Sequence, residues 1–298
     1  MIHMLIQSFR LIVVDRHYTL IHSLRRCSHR ETASHGPRTA ISAGAGGADL
    51  DPLLSQADLI VLVIVTLLTS TLSAIVGMAG GITLLSVMMI FIAPLHAIPL
   101  HGVVQFVANG SRTYAQRQHV RWDLLARYAL LAFPLGFVGL FVAKQIPPDL
   151  LKALIGVFVL LATWRPSLLL FGRHPEQSDP RRRFLVLGGV TGVLNVVIGT
   201  TGPLIAPFFL NLGLTRQGVV GTQAACQMAG HLAKVAVFVI GGFVLLPYAP
   251  LLALMIPAAV AGTWVGSRLL DRVDERRFKI VYKTILTVIA LELVIEAL

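Results

Sequence analysis

The sequence predicts an all-α polytopic membrane protein made of two inverted repeats of about five apolar segments each, with helices broken at glycine-rich motifs. Of its 298 residues, 55% are hydrophobic and only 13% are charged, and the mean hydropathy is +0.78. A soluble domain has roughly a quarter of its residues charged. Several stretches also approach the ~20 apolar residues that cross a bilayer. Both observations indicate a chain that is solvated by lipid.

Ten apolar segments follow one another from Asp58 onward. The second and seventh are too short to span as straight helices, and each follows a glycine break. The segments lie near 57–76, 80–93, 97–116, 123–143, 149–171, 183–199, 203–213, 217–241, 247–268 and 279–297. They define a first membrane repeat at 57–171, a linker at 172–182 and a second membrane repeat at 183–298.

Residues 1–56 predict a disordered or poorly ordered basic tail. Arg10, Asp15 and Arg16 interrupt its apolar start, which therefore lacks the apolar region of a signal peptide. The stretch that follows is small, polar and rich in glycine, a composition that does not form a packed core.

The formal net charge of +11 could indicate nucleic-acid binding. However, Lys and Arg lie in short loops between apolar segments, where positive charge orients a membrane protein, and no basic stripe with interleaved aromatic residues stands apart from them. We expect no nucleic-acid partner. Cys27 and Cys226 are far apart and are interpreted as unpaired thiols, and no metal or other cofactor is expected.

The two glycine breaks form an internal repeat at an offset of 122 residues. Gly77, Gly80 and Gly81 in "GMAGG" correspond to Gly199, Gly202 and Pro203 in "GTTGP". The loop after the third segment is basic, whereas its counterpart at 241–250 has no Lys or Arg. If basic loops face the cytoplasm, equivalent loops lie on opposite sides. This pattern predicts an inverted repeat with the linker in the cytoplasm and both termini outside.

We interpret the breaks as an anion-binding site. Irregular backbone in a membrane is tolerated only where it is buried or lines a cavity, and paired breaks in two halves point to a site at the repeat interface. Each restarting helix presents free N–H groups and the positive end of its dipole. The alternative is close helix packing through small residues. The break residues assigned to substrate binding are Gly77, Gly80, Gly81, Gly199, Thr200, Thr201 and Gly202.

Polar side chains form a stripe on the third segment and another on the eighth. Spacings of four, four and three residues place each stripe on one helical face, and the stripes correspond at the same offset of 122. Their amides suit substrate ligation, although amides also simply join helices. The stripes are His101, Gln105, Asn109 and Arg112, and Gln223, Gln227, His231 and Lys234. Gln105, Asn109 and all four of the second stripe are assigned to substrate binding.

Three ionisable residues of the stripes have competing interpretations. Lys234 lies among apolar neighbours, so it is a functional candidate, although snorkelling to the outer interface also explains it. His231 could relay a proton or make a helix–helix hydrogen bond. Arg112 lies nearer the cytoplasmic end, where a plain orienting role is expected.

Before the last segment, which carries Glu292 and Glu296 near an end, the apolar segments have carboxylates only at their first residues and none in their interiors. This disfavours a carboxylate-based cation site. The chain also lacks the motifs of hydrolases, zinc enzymes and nucleotide-binding loops, and no enzyme activity is expected.

Residues 59–296 resemble the sulfite exporter TauE/SafE-type permeases, also called the toluene sulfonate uptake permease family. The resemblance is carried by the early glycine-rich break in each half, by "YAQRQHVRWDLLARYAL" and by "AAVAGTWVGSRLLDRVDERRFK". It implies a multi-pass transporter of sulfite, sulfonates or related organic anions in a bacterial inner membrane. Leu85 stands where the second half has Pro207. We therefore expect the second break to contribute more to substrate binding than the first.

The sequence therefore predicts a secondary transporter that moves a small anion by alternating access. Its expected partners are that anion, the lipid bilayer and, as a coupling ion, protons through His231. The alternatives are a non-transporting membrane scaffold with glycine packing notches and, less favoured, an intramembrane enzyme.

Overall fold

The computed structural model describes residues 55–76, 79–165, 168, 179–209, 212–269, 283–284, 287–288, 290–291 and 293–295. Within this part of the chain every regular element is helical. Gly77, Cys27, Glu292, Glu296, nearly all of the predicted tail and most of the predicted linker and last segment lie outside the described residues.

Most helices begin and end close to the predicted apolar segments. This agreement follows from hydropathy, since a helix in lipid must satisfy its backbone groups internally along the whole apolar stretch. The fifth predicted segment, 149–171, differs because its helix ends at Trp164, and the seventh, 203–213, forms only a short α-helix followed by a 3-10 helix. The α-helices are α1 (Gln56–Val76), α2 (Ala79–Phe91), α3 (Pro94–Ala115), α4 (Trp122–Gln145), α5 (Pro148–Trp164), α6 (Pro180–Val197), α7 (Gly202–Ile205), α8 (Arg216–Ile240) and α9 (Ala249–Leu269). Short 3-10 helices cover Arg117–His119, Ala206–Phe209 and Leu246–Tyr248.

Four of the described helical stretches are long and apolar enough to cross a membrane, and they contain most of α1, α4, α8 and α9. Helix α4 shows the expected lipid-facing side, because large apolar side chains such as Phe133, Phe137 and Phe141 are exposed along it. The predicted all-α polytopic membrane fold is confirmed.

Close helix crossings hold the bundle together. Helix α9 packs on α1 and α6 packs on α4, in both cases with glycines against main-chain carbonyls. A Cβ at Gly192 would lie 2.6 Å from the Ala132 carbonyl oxygen, and one at Gly266 would overlap the Thr71 carbonyl. Small residues therefore allow close helix packing at these crossings, which lie outside the two predicted breaks.

The contacts between helices are consistent with a two-fold relation between the halves, because each contact in one pair of helices has an equivalent in another pair. Under the offset of 122 residues, α1 corresponds to α6 and α4 to α9, so the α1–α9 and α6–α4 contacts are equivalent. The third helix of each half, α3 and α8, pack against each other at the centre. The inversion of the two repeats across the bilayer remains a prediction.

Both predicted breaks separate helices. Helix α1 ends at Val76 and α2 begins at Ala79, while α6 ends at Val197 and α7 begins at Gly202. Gly199 has a φ of 82°, a left-handed conformation that favours glycine. A Cβ there would also lie 2.6 Å from Leu85 Cδ2. The two short helices, α2 and α7, contact each other, so the breaks lie in one region of the fold.

Candidate functional site

The two polar stripes meet inside the protein, because α3 and α8 pack against each other. All of their side chains except that of Gln227 are buried, and Gln227 is partly buried. The polar residues of each stripe therefore share a helical face, as their spacing predicts, and these faces point to the protein interior. A buried set of polar groups in a membrane bundle requires either internal partners or a ligand.

Lys234 lies at the centre of this region with only 1% of its surface exposed. Its Nζ donates a hydrogen bond of 2.9 Å to the Gly199 carbonyl oxygen and lies 3.3 Å from His101 Nδ1. The side chain therefore does not snorkel to the interface. It reaches instead to the end of α6, where the free carbonyls of a helix C-terminus attract a cation.

His101 connects Lys234 to the first break. Its Nε2 lies 2.9 Å from the Gly81 carbonyl oxygen. A carbonyl only accepts hydrogen bonds, so Nε2 carries the proton and Nδ1 presents its lone pair to the Lys234 ammonium. Gly81 and Gly199 are thereby joined through two side chains, which brings the backbone of both breaks to the same polar cluster.

Arg112 also bonds a main-chain carbonyl near a helix break, in the first half. Its Nη1 donates to the Ser73 carbonyl oxygen at 3.0 Å, in the last turn of α1, and its Nη2 donates to Asn109 Oδ1 at 2.6 Å. The guanidinium is buried. It therefore does not extend to the membrane surface as an orienting charge would, because helix α1 supplies carbonyl acceptors within reach inside the protein.

The glutamines of the stripes carry donors without partners. Asn109 Nδ2 donates to the Gln105 carbonyl oxygen at 2.8 Å. In contrast, the buried Nε2 atoms of Gln105, Gln223 and Gln227 have no hydrogen-bond partner. Unpaired buried donors are costly in a folded protein. Such unpaired N–H donors suit the oxygen atoms of an anion.

Other predicted residues lie at the breaks themselves. Gly81 is next to the Gln105 amide, whose Cδ would be 3.5 Å from a Cβ on Gly81. Thr200 and Thr201 are buried directly after Gly199, and Gly202 is buried at the start of α7. Gly80 differs, since a Cβ there would overlap the Thr69 carbonyl of α1. Close packing against α1 is the direct contact that the structure gives Gly80.

His231 faces His101, and no hydrogen bond joins it to Lys234 among the described residues. The two imidazole rings pack edge to face with centroids 5.5 Å apart, and the buried His231 Nδ1 has no hydrogen-bond partner. Its predicted role as a proton relay remains a prediction.

The carboxylates of the described part of the chain all lie at helix starts. They are Asp58, Asp123, Asp149 and Asp179, positions where an acidic group complements the helix dipole. None of these four carboxylates forms an ion pair with the Lys234 ammonium. One of them, Asp123, pairs with Arg121 on the exposed surface. Lys234 is thus a buried lysine whose hydrogen-bond partners are neutral.

A second buried polar cluster was not predicted from the sequence. The hydroxyl oxygens of Tyr128 and Thr191 lie 2.9 Å apart. A Cβ at Gly230 would come within 2.6 Å of the Tyr128 oxygen and 3.2 Å of Asn195 Nδ2. The hydroxyls and the amide therefore meet where α4 and α6 pack on α8. Offset matching could not find this cluster, because Tyr128 and Thr191 come from different helices without a shared periodic pattern.

The chain is a multi-pass α-helical membrane protein. Its two helix breaks meet a buried polar core that contains Lys234 and Arg112. Residues 62–293 match the family described as sulfite exporter TauE/SafE. The match covers most of the chain, which therefore belongs to this family. No curated protein and no solved structure matched the chain.

Membership of this family implies a membrane permease of sulfur-containing anions. The resemblance recognised in the sequence is confirmed. The family consists of membrane transporters.

Proposed function

We propose that the protein is a secondary transporter that moves a small anion, such as sulfite, a sulfonate or a related organic acid, by alternating access. The observation that carries the proposal is Lys234, a buried lysine bonded to two neutral acceptors, the Gly199 carbonyl and His101. A buried charge is costly unless an opposite charge accompanies it, and an anionic substrate supplies that charge.

The surrounding groups support an anion and not a cation as substrate. The unpaired amide donors of Gln105, Gln223 and Gln227 can donate to anion oxygens. Cation sites in membrane proteins use carboxylates or converging carbonyls, and the described carboxylates lie away from this region at helix starts. In this proposal Thr200 and Thr201 orient the anion, and N–H groups near Gly80, Gly81 and Gly202 complete its shell.

Alternating access is supported by the packing of the two halves. The third helices, α3 and α8, carry the polar stripes and contact each other at the centre, while each is flanked by a helix of the other half, α9 and α4. This symmetric packing of the two halves allows one half to rock against the other around a fixed site.

We further propose that the protein lies in a bacterial inner membrane with the linker on the cytoplasmic side, and that protons are the coupling ion.

Flux into proteoliposomes tests the proposal. Purified protein is reconstituted and the uptake of sulfite, sulfoacetate, taurine and a non-sulfur carboxylate is measured. We expect saturable flux of at least one anion. Lys234→Met is expected to reduce it about tenfold or more, since a hydrogen bond to a charged group is worth ~1.5–3 kcal/mol.

Lys144→Met is the matched control. Lys144 also donates to a glycine carbonyl, that of Gly241, at 2.9 Å, but on an exposed surface. Its variant is expected to retain flux. A scaffold packed through glycines would give no flux with the wild-type protein, and unchanged flux in Lys234→Met would contradict the proposed site.

A further inference from the structure

His101 lies between the two breaks but has no role in the proposed anion shell. It is fully buried on α3, its Nε2 lies 2.9 Å from the Gly81 carbonyl oxygen, and its Nδ1 lies 3.3 Å from Lys234 Nζ. Both contacts are long-range in the chain, to residues 20 and 133 positions away. The ring therefore fixes the relative position of three elements.

The tautomer of His101 determines what it can do to Lys234. Because Nε2 donates to a carbonyl, Nδ1 is left as an acceptor, and it can receive one of the three N–H groups of the ammonium. The Gly199 carbonyl receives a second at 2.9 Å. Among the residues that the structure describes, no other side chain or carbonyl is bonded to Nζ, so one N–H remains for a ligand.

The stem of Lys234 is fixed from a third direction. It lies across Gly102, where a Cβ would approach Lys234 Cε to 2.7 Å. Two acceptors and this contact restrict the ammonium to a single position. His231, three residues earlier on α8, touches the His101 ring edge to face and makes no bond to Lys234, so it does not share this task.

We infer that His101 is a positioning residue of the anion site: its Nδ1 holds the Lys234 ammonium between the two breaks, with the third N–H directed to the anion. The inference rests on the proposed function. It assigns the anion affinity to the His101–Lys234 contact and assigns only structural support to the His101–Gly81 contact.

Two isosteric substitutions separate the contacts. Asn can place its side-chain oxygen where Nδ1 lies and so keeps an acceptor for Lys234, whereas Gln can place its amide nitrogen where Nε2 lies and keeps the donor to Gly81. Each variant loses one hydrogen bond. A purely structural His101 predicts similar losses of melting temperature and of affinity for the two.

The dissociation constant for sulfite is measured by calorimetry on the full-length protein in detergent, together with its melting temperature. We expect His101→Asn to bind within about threefold of the wild type and His101→Gln to bind about tenfold more weakly, a ratio set by one charge-assisted hydrogen bond. His119→Gln, an exposed histidine outside the core, is the control and should match the wild type.

A double-variant cycle with Lys234→Met gives a second test. If His101 acts through Lys234, adding His101→Gln to Lys234→Met changes the sulfite affinity no further. Two results would overturn the role proposed for His101 and leave the proposed function standing. One is equal sulfite affinity of the Asn and Gln variants, and the other is a further loss of affinity in the double variant as large as that of His101→Gln alone. Where Lys234→Met leaves no measurable affinity, the Asn and Gln comparison decides. A wild-type protein that neither binds nor transports any tested anion overturns the proposed function as well.

Discussion

Arg112 and Lys234 each bond a main-chain carbonyl near the end of a broken helix, although the two carbonyls are not at equivalent positions of the repeat. The two basic residues correspond at the offset of 122 residues, and each donates to a main-chain carbonyl at the end of its own half's first helix, Ser73 at 3.0 Å and Gly199 at 2.9 Å. A cation at a helix C-terminus is favourable because the carbonyl dipoles point toward it. Each basic side chain thus stabilises the end of one broken helix from inside the protein.

Loss of the Arg112 contacts should destabilise the first half. In Arg112→Met the Ser73 carbonyl and the Asn109 oxygen lose their buried donor, so we expect the free energy of unfolding to fall by about 3 kcal/mol. The control is Arg117→Met, because Arg117 bonds the Tyr114 carbonyl on an exposed surface. Equal melting temperatures for the two variants in detergent would contradict the buried role of Arg112.

Gly199 should tolerate no side chain. Gly199→Ala forces alanine into a left-handed conformation, which costs ~1–2 kcal/mol, and brings its Cβ to 2.6 Å from Leu85, which adds about 1–3 kcal/mol of overpacking. Gly213 has a φ of 65°, and a Cβ at that position would meet nothing within 4 Å, so Gly213→Ala isolates the backbone strain. We expect a clearly lower melting temperature for Gly199→Ala than for Gly213→Ala. Indistinguishable values would mean that Leu85 does not constrain the break.

Gly102 should control the position of Lys234. In Gly102→Ala the new methyl group would meet Lys234 Cε at 2.7 Å and Val235 Cγ2 at 2.8 Å. Displacement of the Lys234 stem is expected to raise the sulfite dissociation constant about tenfold, equivalent to ~1.4 kcal/mol. Gly110 lies on the same helix and its Cβ would meet only Met228 Sδ at 3.5 Å. Gly110→Ala should therefore keep the affinity and gain ~0.5–1 kcal/mol of stability from helix propensity. Parallel effects at both positions would indicate a general response of α3.

The inverted repeat predicts opposite sides for two equivalent loops. Single cysteines at Gln118 and Leu246, both exposed, are introduced into a chain carrying Cys27→Ser and Cys226→Ser. A membrane-impermeant maleimide is expected to label Leu246→Cys in intact cells and Gln118→Cys only after permeabilisation. Labelling of both positions from the same side would contradict the inversion.

The sequence predicted the helices and the residues of the polar core well, for a physical reason. Lipid exposure requires long apolar helices, so hydropathy fixed their ends to within a few residues, as at Gln56–Val76 and Arg216–Ile240. Helical spacing identified which polar residues share a face. Duplication within the chain linked the stripe of α3 to that of α8.

Contacts between helices were beyond the reach of these patterns. Periodicity does not say which neighbour a face meets, so the burial of Arg112 against Ser73 and the bridging position of His101 were missed. Gly80 looked equivalent to Gly81 in the sequence, yet only Gly80 lies against the Thr69 carbonyl. The Tyr128–Thr191 contact between different helices has no signature within either one.

The neutral partners of Lys234 have an electrical consequence. Under alternating access with Lys234 protonated throughout the cycle, a protein that returns without cargo would carry an uncompensated positive charge through the membrane field, whereas one loaded with a monoanion would carry none at this position. Moving one charge through the whole potential is worth ~2.3 kcal/mol per 100 mV. Voltage would then act chiefly on the return of the empty carrier and bias the direction in which the cycle turns.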